Sequence, residues 1–315
     1  MATVRIHIGI DVSKENLDVF VPGGKEKTLR VANTLREARK MVRRAMAGEP
    51  DAMFCCEATG GYEDTLLEAC RLEGAPACRM NARQARCYAM HLGVLEKSDG
   101  IDARMISLAA DDKMPEPLVH PTARQKELRE LWTTRTRLVV QRDSLRGQLE
   151  HLRGKDSVRA VSAAVKTLER EIARLEALCR GLVDGDAADR ALAGRYTLVK
   201  GVGTLTALAM VALMPELLTF DDKALAKLAG LAPLCDQSGA RDGQRHIGAG
   251  RGAVRRALYW AAVTASTHNA ILSAVYRRMV DAGKPKKVAI VAVMRKLLCL
   301  LRRIAQDPCF VPASA

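Results

Sequence analysis

The stretch RIHIGIDVSKENLDVFV, residues 5–21, decides the fold of the first part of the chain. Polar and apolar residues alternate over residues 5–10, and an alternating run at 17–21 follows a short polar turn. Alternation with a period of two is typical of strands that bury one face. The sequence therefore predicts two neighbouring strands at the start, with Asp11 at the end of the first.

Helix and strand patterns alternate over the next hundred residues. A third strand is predicted around 27–31, a helix over about 34–47, a buried strand at 52–56 and a helix over about 63–73. Glu57 directly follows the buried strand. Strands at the start followed by alternating helix and strand indicate a mixed α/β sheet. We assign residues 1–121 to this α/β domain.

Apolar residues at coiled-coil spacing mark the middle of the chain. They predict two long helices over about 122–182, broken near residues 154–157, whose seams pair either within one chain or between two chains. Residues 185–194 are small and polar and are predicted to be a linker. We assign 122–190 to coiled-coil helices and linker, and 191–315 to a mostly α-helical domain. The seam residues of the second helix are Val165, Leu168, Ile172, Leu175, Cys179 and Leu182.

Composition excludes several classes of protein. The chain has 315 residues, 48% hydrophobic and 3% aromatic, and its apolar runs are too short for a membrane span. The first ten residues do not resemble a signal peptide. Nine cysteines, with no Cys-x-x-Cys pair, are interpreted as buried, reduced thiols. These features predict a cytoplasmic protein that does not bind membranes.

The net charge of +14 is concentrated near the C-terminus. Residues 241–303 hold fourteen Lys and Arg side chains against two acids, Asp242 and Asp281. A segregated positive field favours a polyphosphate partner. Lys200-Gly201-Val202-Gly203 before an apolar helix either holds a phosphate or packs two helices together. The candidate nucleic-acid-binding residues are Lys200, Gly201, Gly203, Arg241, Arg245, Arg251, Arg255, Arg256, Lys286 and Lys287.

Four acidic residues are candidate metal ligands. Asp11 and Glu57 end strands that we expect to be neighbours, and Asp99 and Asp102 are spaced to share one face of a helix. Oxygen ligands of this kind suit Mg²⁺ or Mn²⁺. Taken singly, each acid also fits an ordinary role as a turn residue, a helix N-terminal charge or a cap. Their order, spacing and apolar flanks together favour the metal site.

The segments around these acids resemble the DEDD motif of a transposase family. The segments are Ile8-Gly9-Ile10-Asp11-Val12-Ser13-Lys14, Glu57-Ala58-Thr59-Gly60 and Ser98-Asp99-Gly100-Ile101-Asp102-Ala103-Arg104. The chain is similar to insertion-sequence transposases of the IS one-ten family, which includes the pilin-gene invertase. The resemblance continues in Ala229-Gly230-Leu231-Ala232-Pro233, in Gln237-Ser238-Gly239 and in Arg255-Arg256-Ala257-Leu258-Tyr259.

The resemblance implies a fold and a mechanism. The first domain should be RuvC-like, with a ribonuclease-H-like fold, and Asp11, Glu57, Asp99 and Asp102 should bind Mg²⁺ or Mn²⁺. Ser238 matches the position of the family's serine nucleophile, although Gln237 replaces the usual Glu and Ala240 a second Ser. The implied partners are donor and target DNA and a structured noncoding guide (bridge) RNA, and bacterial DNA is the implied place of action.

The leading hypothesis is an RNA-guided DNA recombinase or transposase that forms a covalent serine–DNA intermediate, in transposition or inversion. Because exchange needs two active sites on two duplexes, we expect a homo-oligomer, a dimer or tetramer, paired through the 165–182 seam. The alternative is a metal-dependent junction nuclease that uses water and gives Ser238 no role. A third hypothesis is a basic helical nucleic-acid-binding protein with a decayed nuclease domain, against which the complete acidic set argues.

Overall fold

The chain divides into two compact units, Met1–His120 and Pro121–Ala315. The structure is a computed structural model that describes residues 6–23, 28–94, 96, 98–234 and 246–312, and the backbone alone at 237–238 and 241–242. The core of the second unit includes residues from Leu128 to Ile304, on both sides of position 190. The division into domains at 121 and 190 stays a prediction.

Five strands of the first unit form one mixed sheet. They are β1 (His7–Val12), β2 (Asn16–Phe20), β3 (Thr28–Ala32), β4 (Met53–Glu57) and β5 (Ala77–Met80). The order across the sheet is β3-β2-β1-β4-β5, with β1, β2 and β3 antiparallel and with β4 and β5 parallel to β1. Strands β1 to β4 agree with the sequence, whereas β5 is not among the predicted strands, and the topology confirms the expected ribonuclease-H-like class.

Helices cover both faces of this sheet. They are α1 (Leu35–Gly48), α2 (Asp64–Glu73), α3 (Ala82–His91) and α4 (Asp99–Lys113). Ile10 and Phe54 point to one side and share a core with α1 and α2, while Cys55 and Met80 share a core with α3 and α4 on the other. Because successive strand residues point to opposite faces and helices pack on both, the central strands β1 and β4 are buried on both sides.

The described residues of the second unit are mostly helical, with four two-residue strands. The helices are α5 (Ala123–Leu149), α6 (Lys155–Asp184), α7 (Ala187–Thr197), α8 (Thr204–Leu213), α9 (Asp222–Leu228), α10 (Gly252–His268), α11 (Ala270–Asp281) and α12 (Lys286–Gln306), with a 3₁₀ turn at Pro215–Leu218. The short strands are β6 (Pro233–Leu234), β7 (Gln237–Ser238), β8 (Arg241–Asp242) and β9 (His246–Ile247). A mostly helical C-terminal part is confirmed.

Helices α5 and α6 pair with each other in an antiparallel hairpin. Arg135 Nη2 lies 2.5 Å from Glu176 Oε1, and Arg146 Nη2 lies 2.5 Å from Glu169 Oε1. Five residues, 150–154, connect the helices, so the chain turns back at once and the two apolar seams meet. The break near 154 is confirmed. The expectation that the 165–182 seam joins two protomers is wrong, because Val165, Ile172, Leu175 and Cys179 are buried within one chain.

The predicted linker at 185–194 is mostly helix. The side chain of Asp186 accepts hydrogen bonds from the backbone N–H groups of Ala188 and Asp189 and so caps α7. Arg124 forms ion pairs with the carboxylates of Asp186 and Asp189, at 3.0 and 2.6 Å. The small residues that resemble a linker here form helix α7 instead, because alanine has the highest intrinsic helix propensity.

Most described cysteines are buried thiols, as expected, but Cys87 and Cys309 are exposed. Burial raises the pKa of Cys70 to about 12 and that of Cys179 to about 11, so both stay protonated near neutral pH. Within the described ranges, the helices are all too short or too polar to cross a membrane.

Candidate functional site

A row of charged side chains crosses the sheet at one level. Asp11 in β1 is the register partner of Asp18 in β2, and Asp18 is the partner of Arg30 in β3. On the other side, Ile10 pairs with Cys56, so the next step in the same register sets Asp11 beside Glu57. Registered residues of neighbouring strands point to the same face of a sheet. Asp11 and Glu57 therefore lie on one face, as predicted.

Helix α4 is held tightly against that face of β1. A Cβ atom on Gly9 would overlap the carbonyl oxygen of Ala103 and would lie 2.6 Å from the backbone nitrogen of Ser107. The Ser107 hydroxyl donates a 2.6 Å hydrogen bond to the carbonyl of His7, and His7 Nδ1 lies 2.6 Å from a carboxylate oxygen of Asp111. Gly9 therefore permits the closest approach between helix and strand, and Ser107 and Asp111 secure it.

This packing brings the helical acids to Asp11. Ser98 caps α4, and its hydroxyl accepts from the N–H of Ile101, so Asp99 and Asp102 occupy the first helical turn. Burial raises the pKa of Asp11, and the negative charges of Asp102 and Asp99 raise it further. Asp11 is thus close enough to Asp99 and Asp102 to be repelled by their charges. Asp99 and Asp102 share one face of α4, as their spacing predicts.

Arg30 and Asp18 also belong to this cluster, and sequence reasoning missed both. Arg30 donates to the two carboxylate oxygens of Asp18 at 2.8 and 3.1 Å and to Asp99 Oδ2 at 2.5 Å. A side-chain hydrogen bond from Arg30 and its positive charge thus tie β3, β2 and the start of α4 together. The available signal was the alternation of β2, which sets Asp18 on the same face as Asp11 once the hairpin register is known.

Glu63 is a buried acid that shapes the loop after Glu57, and it too was missed. Its side chain is 3% exposed and accepts hydrogen bonds from the N–H groups of Thr59 and Gly61 and from the Thr59 hydroxyl. Burial acts to raise the pKa of Glu63, but the accepted hydrogen bonds outweigh it and hold the pKa below its usual value. Glu63 is therefore ionised and fixes the loop through which Glu57 leaves β4.

The donor set fits a divalent cation in type and charge. Carboxylates are the preferred ligands of hard cations, and the repulsion felt by Asp11 is the interaction that a bound cation relieves. In the described part of the chain, however, no three His, Cys, Asp or Glu side chains stand close enough to hold one ion as they are. Arg30 occupies one oxygen of Asp99, so side-chain movement is needed before all four acids share a cation.

Ser238 lies in β7 of the second unit, where the structure describes only the backbone. Its register partner is Arg241 in β8, which makes the segment a short hairpin. Outside it, Pro233 pairs with Ile247 and Leu234 pairs with His246. Ser238 thus belongs to the inner of two nested antiparallel strand pairs. Arg245, another candidate, lies outside the described residues.

Two arginines close the base of this hairpin. Arg251 donates to both carboxylate oxygens of Glu216, at 2.7 and 2.6 Å, and to the carbonyl of Leu213 at 2.6 Å. Arg255 donates to the carbonyl of Ala249. A Cβ on Gly230 would overlap Arg255 and the Ala249 carbonyl, so the two ends of the loop touch there. Arg251 and Arg255, assigned to nucleic acid from the sequence, therefore lie in this internal network.

The remaining candidate nucleic-acid-binding residues are exposed or lie at turns. Lys200, Arg256, Lys286 and Lys287 are exposed. Gly201 lies against α10, since a Cβ there would be 2.6 Å from the Ala265 side chain, whereas a Cβ on Gly203 would meet nothing within 4 Å. Of the two alternatives for this glycine pair, Gly201 fits helix packing, and Gly203 leaves the start of α8 open.

Known transposases match both units of the chain. A family model described as "Transposase", of the DEDD type found in IS110 elements, matches residues 8–152, and a model described as "Transposase IS116/IS110/IS902 family" matches residues 196–277. The chain is by class a DNA transposase or recombinase. Because the two models cover more than two thirds of its length, it belongs to the IS116/IS110/IS902 transposase family.

Individual relatives were found in sequence and in structure. The pilin gene-inverting proteins of Moraxella lacunata and Moraxella bovis are each 26% identical over 312 residues, 94% of either chain. RuvC of Thermus thermophilus, free and in complex with a Holliday junction substrate, aligns with 36% of this chain and 99% of its own, at 16% identity and a TM-score of 0.27. Enzymes with this four-acid motif generally use divalent metal ions.

Proposed function

We propose that this transposase cleaves and exchanges DNA strands by a Mg²⁺-dependent reaction through a covalent Ser238–DNA link, guided by a structured RNA. The observation that carries the proposal is the carboxylate row, with Asp11 beside Glu57 on one face of the sheet and Asp99 and Asp102 held over Asp11 by α4. Family membership supplies the reaction class.

The four acids of the first unit have defined roles in this proposal. Asp11, Glu57, Asp99 and Asp102 would hold Mg²⁺ or Mn²⁺, which when bound polarises the scissile phosphate and lowers the pKa of an attacking hydroxyl. Asp18 keeps Arg30 in place, and Arg30 balances the negative charge at the edge of the cluster. Glu63 holds the loop that follows Glu57. Asp18, Arg30 and Glu63 act as positioning residues.

Ser238 would supply the nucleophile from the second unit. Its hydroxyl oxygen forms a bond to phosphorus, the bond from phosphorus to one deoxyribose oxygen breaks, and the serine proton ends on solvent while the released oxygen takes up a proton. The phosphodiester energy is then conserved for rejoining. Support comes from the match at Gln237-Ser238-Gly239 and from the nested hairpin whose base Arg251 and Arg255 close.

The distribution of charge supports nucleic-acid partners. Exposed cations of α11 and α12, such as Arg277, Arg278, Lys286 and Lys287, lie in the segment that holds most of the net charge. Contacts to phosphates fix position without choosing a sequence, which suits a protein whose target is selected by base pairing with RNA. We propose donor DNA, target DNA and guide RNA as partners, in mobile-element transposition or inversion.

A homo-oligomer is also part of the proposal, because exchange between two duplexes needs two active sites. The 165–182 seam is not its interface, since that seam is buried in the α5–α6 hairpin. Light scattering of the purified protein with and without RNA tests for a dimer or tetramer. A monomeric mass in the presence of both RNA and DNA during active exchange would contradict this part.

The test of the mechanism uses two variants and one trapped product. Wild-type protein is incubated with substrate DNA, RNA and Mg²⁺, denatured, and analysed for protein covalently attached to DNA. Ser238→Ala should bind both nucleic acids but form no adduct and no recombinant, because the change removes only the hydroxyl that would attack the phosphate. Asp11→Asn should also bind but form no adduct, since a metal ligand is lost while packing is kept.

The alternative enzyme is distinguished by the same experiment. A junction nuclease that uses water needs the carboxylates and not the serine. Cleavage by Ser238→Ala at the wild-type rate, together with no cleavage by Asp11→Asn, would replace the covalent mechanism with that alternative. Normal cleavage by Asp11→Asn would remove the metal-site assignment itself.

A further inference from the structure

An exposed tryptophan stands out on helix α10. The chain has two tryptophans: Trp132 is 4% exposed, whereas Trp260 is 70% exposed. Tyr259 packs edge-on against Trp260, with ring centroids 5.3 Å apart and planes at 79°. Burial of an indole contributes more apolar free energy than burial of most side chains, and an exposed indole lacks that contribution. Exposed tryptophans concentrate at binding surfaces. Trp260 therefore points to a ligand.

Trp260 belongs to a row of exposed side chains spaced four residues apart. The row, which we call the α10 row, consists of Arg256, Trp260, Thr264 and His268, all exposed. Residues four apart lie on the same side of a helix, and this row spans about 18 Å. The Thr264 hydroxyl donates to the Trp260 carbonyl at 3.1 Å and keeps its oxygen as an acceptor. The row combines a cation, an aromatic face and hydrogen-bonding groups.

Charge selects the kind of partner that fits this row. Helix α10, Gly252–His268, contains no acidic residue, and the nearest acid along the chain after it is Asp281. A second copy of this surface would be repelled by the same positive field, whereas a phosphate backbone is attracted to it. A flat indole face beside an arginine stacks on a nucleobase, and every base offers a π-face.

The far end of the row has an open turn beside it. Gly201 lies against Ala265, and the Asn269 side chain donates to the Lys200 carbonyl at 3.4 Å, so the Lys200–Gly203 turn adjoins the end of α10. Lys200 and Gly203 are exposed, and α8 begins directly after Gly203. Backbone N–H groups at a helix start favour a phosphate. The surface thus continues from a stacking face to a phosphate-binding end.

We infer that the α10 row binds unpaired DNA bases exposed during strand exchange, with Trp260 stacked on a base. This rests on the proposed function, because strand exchange necessarily takes bases out of a duplex. In intact duplex DNA both faces of each base are stacked on neighbours, so Trp260 finds its partner only in a strand that has been opened.

Tryptophan fluorescence of the full-length protein tests this directly. An oligothymidine is titrated at low salt without Mg²⁺, so that no cleavage occurs. Stacking should quench Trp260, whereas the buried Trp132 supplies a constant background. Trp260→Leu should lose the quenching and weaken binding about 5- to 100-fold, and Trp260→Phe should retain binding within about threefold. Ile271→Ala, which trims an exposed apolar side chain on the next helix, should behave as wild type.

Further experiments distinguish unpaired DNA from other ligands of the α10 row, and distinguish failure of the inference from failure of the proposed function. Three results would each overturn the inference. They are equal quenching by duplex DNA, tighter binding of an oligouridine through Trp260, and a change of oligomeric mass in Trp260→Leu without nucleic acid. Trp260→Leu should still form the serine adduct but yield less rejoined product. Ser238→Ala should quench normally while forming no adduct. Wild-type protein that quenches but forms no adduct would contradict the covalent mechanism alone, whereas wild-type protein that forms the adduct without quenching would contradict the α10 row alone.

Discussion

Replacing Gly9 by alanine should separate helix α4 from the sheet and so disable the carboxylate cluster. The added Cβ would overlap the Ala103 carbonyl and lie 2.6 Å from Ser107 N and 2.9 Å from Ser107 Cβ. None of these atoms is the end of a flexible side chain, so the whole helix has to move. Reaching an ordinary van der Waals distance from Ser107 N takes a shift of about 1 Å, which is a lower bound because the Ala103 carbonyl lies closer still.

That shift lowers the free energy of unfolding. Overpacking costs about 1–3 kcal/mol. The 2.6 Å hydrogen bond from Ser107 to the His7 carbonyl would lengthen to about 3.6 Å, beyond hydrogen-bond range, and lose about 1 kcal/mol more. The expected loss is therefore about 2–4 kcal/mol of unfolding free energy. For a unit of this size each kcal/mol lowers Tm by about 4 °C, so Tm should fall by about 8–16 °C.

Activity should fall further than stability alone explains. Asp99 and Asp102 move with α4, and a misplacement of about 1 Å at a reacting centre costs roughly a hundredfold in rate. The assay pairs a thermal melt with Mg²⁺-dependent strand cleavage measured well below Tm, so that the protein compared is folded.

The matched control is a glycine of helix α4, the helix that Gly9 contacts. A Cβ on Gly100 would meet only the Thr28 methyl group, at an ordinary 3.6 Å, so Gly100→Ala should keep activity and melt at or above the wild-type temperature. The reasoning is refuted if Gly9→Ala melts within a degree of wild type, or if it is destabilised as expected but cleaves DNA at full rate.

Two further predictions concern the second unit. Leu175→Asp places a charge in the α5–α6 core, so it should lower the free energy of unfolding by about 3–5 kcal/mol without changing the oligomeric mass. Leu178→Asp, at a site 45% exposed, should be nearly neutral. A stable Leu175→Asp protein of reduced mass in light scattering would restore the seam as an interface. Burial acts to raise the pKa of Glu216, but the hydrogen bonds and charge of Arg251 outweigh it and hold the pKa below its usual 4.5. The resulting stability is present above pH 4.5 and is lost as the pH falls through the lowered pKa, so Glu216→Gln should be about 1–2 kcal/mol less stable at pH 7 and should lose less on acidification; parallel pH curves in denaturant melts would contradict this.

The sequence by itself determined four of the five strands of the sheet, most helices and the positions of the four acids. Alternation over 5–21, the buried run before Glu57 and the Asp99–Asp102 spacing are local patterns, and each depends only on neighbouring residues and backbone periodicity. The same locality explains the failure at 185–194, where small residues are compatible with both a linker and the packed helix α7.

Tertiary structure decided which residues meet. Asp18 and Arg30 join the site only once the strand register is set, and Glu63 does so only when the loop after β4 folds back onto it. No local pattern shows that Gly9 is where α4 touches β1, that the α6 seam finds its partner within one chain, or that Arg251 and Arg255 serve the serine loop. These contacts join residues far apart along the chain, and such pairings are chosen by packing and charge over the whole unit.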